Sequence, residues 1–98
     1  MRVELTRSGG LAAVEAATTA DSAELPESEA ERLRTLVEAI DLDELAQRSP
    51  LRGKGADRYQ YDLLVSDEGN RREITASEDA APPELRALVD WLLSRARD

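Results

Sequence analysis

The turn Arg7-Ser8-Gly9-Gly10-Leu11 is one of four places in this chain where residue types and spacing could do chemistry. Paired glycines permit the positive φ of a tight reversal, after which Leu11 either returns to a core or stands out as an apolar side chain on a protruding loop. A second place is the carboxylate run Glu27, Glu29, Glu31, Glu38, Asp41, Asp43 and Glu44, whose oxygens could hold a hard cation. A calcium loop sets acids at alternate positions around a glycine turn, and Asp41-Leu42-Asp43-Glu44 has no glycine. A solvated face that keeps a small protein soluble is the plainer use, with attraction of a basic partner as the other. Third, Arg48, Arg52, Lys54 and Arg58 stand around Gly53 and Gly55 as in a phosphate cradle, but without the Gly-Lys-Ser/Thr helix opening of a Walker loop. Fourth, Tyr59 and Tyr61 share one face of a strand and could stack on bases, although the acidity of the chain opposes RNA.

What is missing decides as much. The 98 residues contain no Cys and no His, which removes disulfides, thiol nucleophiles, imidazole bases, the Ser-His-Asp triad and thiolate or imidazole zinc sites. Twenty-one acids against thirteen bases leave a net charge of −8, the wrong sign for general nucleic-acid or anionic-membrane binding. The charge is uneven: Glu15 to Glu44 holds ten acids and two bases, Arg32 and Arg34, whereas Arg48 to Arg58 is basic. Met1-Arg2-Val3-Glu4 lacks an apolar signal core, and no run approaches the ~18 apolar residues of a membrane span. These features predict a cytoplasmic, non-enzymatic protein without metal or cofactor, a monomer by preference. Residues 1–98 suffice for one domain, able to bury about 60–65% of its unfolded surface.

The elements that must position these residues follow from periodicity. Val3 and Leu5 alternate with Arg2, Glu4 and Thr6 as a half-buried strand over 2–7, and the turn Ser8-Gly9-Gly10 leads to a weaker, alanine-rich strand over 11–18. Thr18 to Leu25 reads as loop. Pro26 opens a helix over 26–41, its first turn acidic, with Leu33, Leu36, Val37 and Ile40 at i, i+3, i+4 and i+7. Leu42 and Leu45 add a turn or short helix before Ser49-Pro50, and 51–57 reads as a mobile loop. Tyr59, Tyr61, Leu63 and Val65 form the clearest strand; Asp67-Glu68-Gly69-Asn70 turns, and Arg72, Ile74 and Ala76 return. Leu85, Leu88, Val89 and Leu92 mark a helix over 82–97, with Trp91 at the edge of its stripe. The order β-β-α-β-β-α predicts an α+β domain, a four-stranded antiparallel sheet with two helices packed on one face.

Three segments carry a family resemblance. Met1-Arg2-Val3-Glu4-Leu5-Thr6-Arg7-Ser8-Gly9-Gly10-Leu11 resembles the start of the emfourin family, small proteinaceous inhibitors of thermolysin-like metallopeptidases such as protealysin. That family typically has Gly-Gly-Phe at this turn; the Leu11 here keeps a bulky apolar side chain. Asp57-Arg58-Tyr59-Gln60-Tyr61 is similar to the family's Asp-x-(Phe/Tyr)-x-Tyr strand, and Pro82-Pro83-Glu84-Leu85-Arg86-Ala87-Leu88-Val89-Asp90-Trp91-Leu92 to its Pro-x-x-Leu-x-x-Leu-(Leu/Val)-x-Trp-Leu helix. The resemblance runs in order along essentially the whole chain.

It implies a bacterial, cytoplasmic inhibitor of a thermolysin-like zinc metallopeptidase. Without His or Cys, contact with the enzyme's zinc is limited to a carboxylate, a backbone carbonyl or the N-terminal amine. Such enzymes favour a bulky apolar side chain just after the scissile bond, so Gly9, Gly10 and Leu11 could lie in the cleft like substrate, with Arg7 and Ser8 at the rim. The loop Arg52, Gly53, Lys54, Gly55 is the second candidate surface, and steric coverage of the cleft by another face is equally compatible. The competing class is a non-enzymatic adaptor that uses the same surface for another protein.

Overall fold

The computed structural model describes residues 1–9, 15–53 and 59–96. Seven elements follow in order: β1 (Arg2–Gly9), β2 (Ala16–Asp21), α1 (Glu27–Glu38), α2 (Leu42–Arg48), β3 (Tyr59–Asp67), β4 (Asn70–Ser77) and α3 (Pro83–Ala96). The four strands form one antiparallel sheet in the order β2-β1-β3-β4, so the N-terminal strand lies inside the sheet and joins the two hairpins. The fold is the α+β arrangement that the pattern predicts, with α2 as a third helix.

One sheet face is apolar and the other polar, as an antiparallel sheet covered on one side requires. Val3, Leu5, Tyr61, Leu63, Val65, Ile74 and Ala76 are buried together with Leu33, Leu36, Val37 and Ile40 beside α1 and Leu85, Leu88, Val89 and Leu92 of α3. Every side chain that the two helical stripes assign to the core is there, and Tyr61 and Leu63 are both inside. The open face carries Glu4, Thr6, Gln60, Asp62 and Thr75, where Thr75 Oγ1 donates to Asp62 Oδ1 at 2.7 Å.

The first hairpin differs from its sequence reading. Ser8 and Gly9 belong to β1, paired with Gln60 and Tyr59, and the return strand is Ala16–Asp21 rather than 11–18. The strand therefore takes in Thr18 to Asp21, which read as loop; residues 11–14 lie outside the described ones. Ala16-Ala17-Thr18-Thr19-Ala20-Asp21 has no large side chain to mark an alternation, and its place comes from pairing with Val3 and Leu5. The second hairpin matches its reading. Asp67 pairs with Asn70, and Glu68 (φ 49°) and Gly69 (φ 84°) both take the left-handed conformation of a two-residue turn.

Helix α1 starts after Pro26, carries Glu27 and Glu29 against the positive end of its dipole, and stops at Glu38. Asp41 then caps α2, its carboxylate accepting from the Glu44 N–H at 3.2 Å. The following segment is the second departure from the sequence reading. Leu51 is buried in the core, its N–H donates to the Thr75 carbonyl at 2.8 Å, and its carbonyl accepts from the Ser77 N–H at 2.8 Å. The start of the stretch read as a mobile loop thus forms a parallel bridge along the outer edge of β4.

Candidate functional site

At one end of the sheet, both candidate segments leave their strands. Gly9, the last residue of β1, faces Tyr59, the first of β3. The Glu78 N–H, just beyond β4, donates to the Tyr59 carbonyl at 2.8 Å. Ser8 pairs with Gln60, Gln60 with Ser77, and the Ser77 Oγ accepts from the Gly53 N–H at 2.7 Å. A row of backbone therefore runs from Ser8 across the sheet to Gly53. The two loops that the sequence offers as alternatives depart from neighbouring positions on one sheet end.

Gly9 is exposed with φ 90°, a conformation that suits glycine and turns the chain out of the strand. Gly10 and Leu11, the core of the first candidate, lie outside the described residues, as do Lys54 and Gly55 of the second. Arg52 and Gly53 are exposed. Gly53 sits close against Asp79, so a Cβ there would collide with that carboxylate. Ser77 Oγ also donates to Asp79 Oδ1 at 2.8 Å, which ties the 51–53 segment to the end of β4.

Arg7, like Ser8, is half-buried at this end of β1. It shares strand parity with Val3 and Leu5, and that parity turns its side chain toward the helices. Its guanidinium lies over the Tyr59 ring, 4.4 Å from the centroid, and its Nε is buried without a hydrogen-bond partner among the described residues. The alternation that assigns Val3 and Leu5 to the core carries the same information for position 7. Tyr61, directly opposite Arg7, is buried; burial pushes its phenol above the ordinary value, and Glu78 and Asp90 push the same way against Arg86 and Arg7.

The remaining candidates disperse. Arg48 pairs with Glu44 at 3.4 Å, Arg72 with Asp43, and Arg95 with Glu29 at 3.3 Å, while Arg95 also stacks over Trp91 at 5.1 Å. Among the described residues, no three acids converge in a way that could hold a metal ion, and no helix is long and apolar enough to cross a membrane. The tyrosines share the helix-facing side of β3, as read from the sequence, with Tyr61 inside and Tyr59 half-buried beneath Arg7. The N-terminal amine lies at the opposite end of the sheet, 3.1 Å from Ser22 Oγ and 3.7 Å from Asp67 Oδ1.

A protein-family model described as Emfourin matches residues 5–93. Searches of curated proteins and of solved structures return no significant match.

Proposed function

The chain belongs to the emfourin family, which places it generally among metallopeptidase inhibitors, and from that premise we propose that it inhibits a thermolysin-like zinc metallopeptidase by laying the β1–β2 connection across the active-site cleft. Gly9, Gly10 and Leu11 make the central contact, with Ser8 at the rim and Arg52, Gly53, Lys54 and Gly55 as the flanking surface. The partner is the peptidase itself, and this chain supplies no catalytic group and no cofactor.

The observation that carries this reading is the family match, which spans both candidate segments. The pairing around the sheet end supports the choice of loop. β1 is held on one side by β2 and on the other by β3 out to Gly9, so the connection starts from a fixed base. Fixed strand ends on either side of a binding segment reduce the freedom that association must remove, relative to a free peptide, which favours tight binding. With its amine engaged by Ser22 and Asp67 at the far end, the chain keeps a backbone carbonyl or a carboxylate as its means of approaching the enzyme's zinc.

Titration of a thermolysin-like peptidase with the protein tests the reading. Burying Leu11 in an apolar pocket contributes roughly 1.5–3 kcal/mol. Leu11→Ala is therefore expected to weaken inhibition about ten- to a hundred-fold while the melting temperature stays nearly constant. Leu11→Phe should be tolerated, and Leu11→Glu should be worse than alanine, since an unpaired charge would enter the pocket. Full inhibition by a folded Leu11→Glu variant rules the loop out.

A further inference from the structure

We propose that Arg7 and Tyr59 form a clamp that fixes the direction in which the β1–β2 connection leaves the sheet. Arg7 then acts as a positioning residue rather than as a contact with the peptidase. The proposal rests on the inhibitory reading given above and assigns it a device that the loop sequence does not contain.

The geometry comes from the register. Arg7 faces Tyr61 and Gly9 faces Tyr59, all on the helix side of the sheet. Gly9 has no side chain, so the space over the Tyr59 ring is left to the diagonal neighbour, Arg7, whose guanidinium fills it at 4.4 Å. The stack joins the last turn of strand before the connection to the first residue after the 54–58 segment. Tyr59 is itself held from the other side by the Glu78 N–H on its carbonyl. Arg7 also borders a hollow between β2 and the end of α3, lined by Ala16, Ala17, Leu93 and Ala96. Positive charge on an aromatic face, with Nε buried, is an orientation-dependent contact that loosens when either partner loses its plane.

The test compares Arg7→Met, Tyr59→Leu, their double variant and Tyr59→Phe, in inhibition of a thermolysin-like peptidase and in amide exchange of the free protein. In the sheet, Ser8 and Gln60 are a hydrogen-bonded pair next to the stack, and their amides report the base of the connection without any enzyme present. Arg7→Met and Tyr59→Leu are each expected to weaken inhibition about two- to ten-fold, the range of a partly buried cation–π contact. The double variant should be no weaker than the worse single, Tyr59→Phe should match the wild type, and exchange at Ser8 and Gln60 should quicken in step with the losses. Additive losses, or an on-rate whose salt dependence changes with Arg7→Met in the Tyr59→Leu background, would assign Arg7 to the peptidase contact and overturn the clamp. Inhibition that fails with Leu11→Glu but survives both clamp variants removes the clamp alone. A wild-type chain that inhibits no such peptidase removes the inhibitory reading and the proposal with it.

Discussion

Tyr61 shows how one buried polar side chain reports on the sheet end. Its side chain is buried in the core cluster, and burial raises the phenol's pKa above the ordinary value of 10.0, with Glu78 and Asp90 adding to the effect against Arg86 and Arg7. The unfolded chain then ionises Tyr61 first as pH rises. Above about pH 10 the folded state binds the extra proton, and stability falls with pH until the folded phenol also ionises. Below that range Tyr61 contributes no pH dependence. Urea midpoints at rising pH should therefore decline more steeply above about pH 10 in the wild type than in Tyr61→Phe. Equal slopes would mean that Tyr61 titrates alike in the folded and unfolded chain. The position of Arg7 was readable at this scale too, since its parity matches Val3 and Leu5, but a charged residue beside a glycine pair reads as rim when loop chemistry outweighs alternation.

At the scale of elements, β2 presents a sharper case. The Ser22 N–H donates to the Met1 carbonyl at 2.8 Å, which makes Met1 and Ser22 a hydrogen-bonded pair. Alternation then makes Val3–Ala20, Leu5–Thr18 and Arg7–Ala16 hydrogen-bonded pairs, and turns the N–H groups of Ala17 and Thr19 to the outer edge of the sheet. Proline removes an N–H, so its effect depends on which residue it replaces. Thr18→Pro breaks the ladder against buried Leu5, whereas Thr19→Pro removes a donor that faces away from β1. We expect Thr18→Pro to cost about 1–3 kcal/mol more than Thr19→Pro, the penalty of a buried carbonyl left unpaired; the reverse order in thermal melts would mean that the register is shifted by one. The sequence shows why this strand reads as starting too early. Helices α1 and α3 and strand β3 announce themselves through leucines and tyrosines at fixed spacing, but Ala16 to Asp21 has only small side chains, and its bounds depend on its partners in β1, Arg7 at one end and Arg2 at the other. Leu51 was hidden in a similar way, because the glycines that follow it point to a loop while the contacts that bury it come from Thr75 and Ser77.

For the whole molecule, the separation of stability from inhibition can be tested with the same substitution at two leucines. Leu11 follows Gly10 and Leu51 stands two residues before Gly53, and neither lies in a stretch with a clear apolar period. The fold treats Leu51 differently: it is 6% exposed, joins the core cluster with Leu45, and lies in the segment that leads from α2 along the edge of β4. Truncating it leaves the two backbone bonds to Thr75 and Ser77 in place, so the loss comes from the side chain alone. Leu51→Ala should cost about 2–5 kcal/mol, as for Leu36→Ala or Leu88→Ala, a large part of the ~5–15 kcal/mol that holds a small domain together. Its urea midpoint should fall with an unchanged slope. At a temperature where Leu51→Ala is still folded it should inhibit as well as the wild type, while Leu11→Ala should show the reverse pattern, normal stability with weak inhibition. A folded Leu51→Ala variant that loses inhibition in proportion to its stability would show that the sheet end and the core act as one unit, and that the loop is not an independent surface carried on a rigid frame.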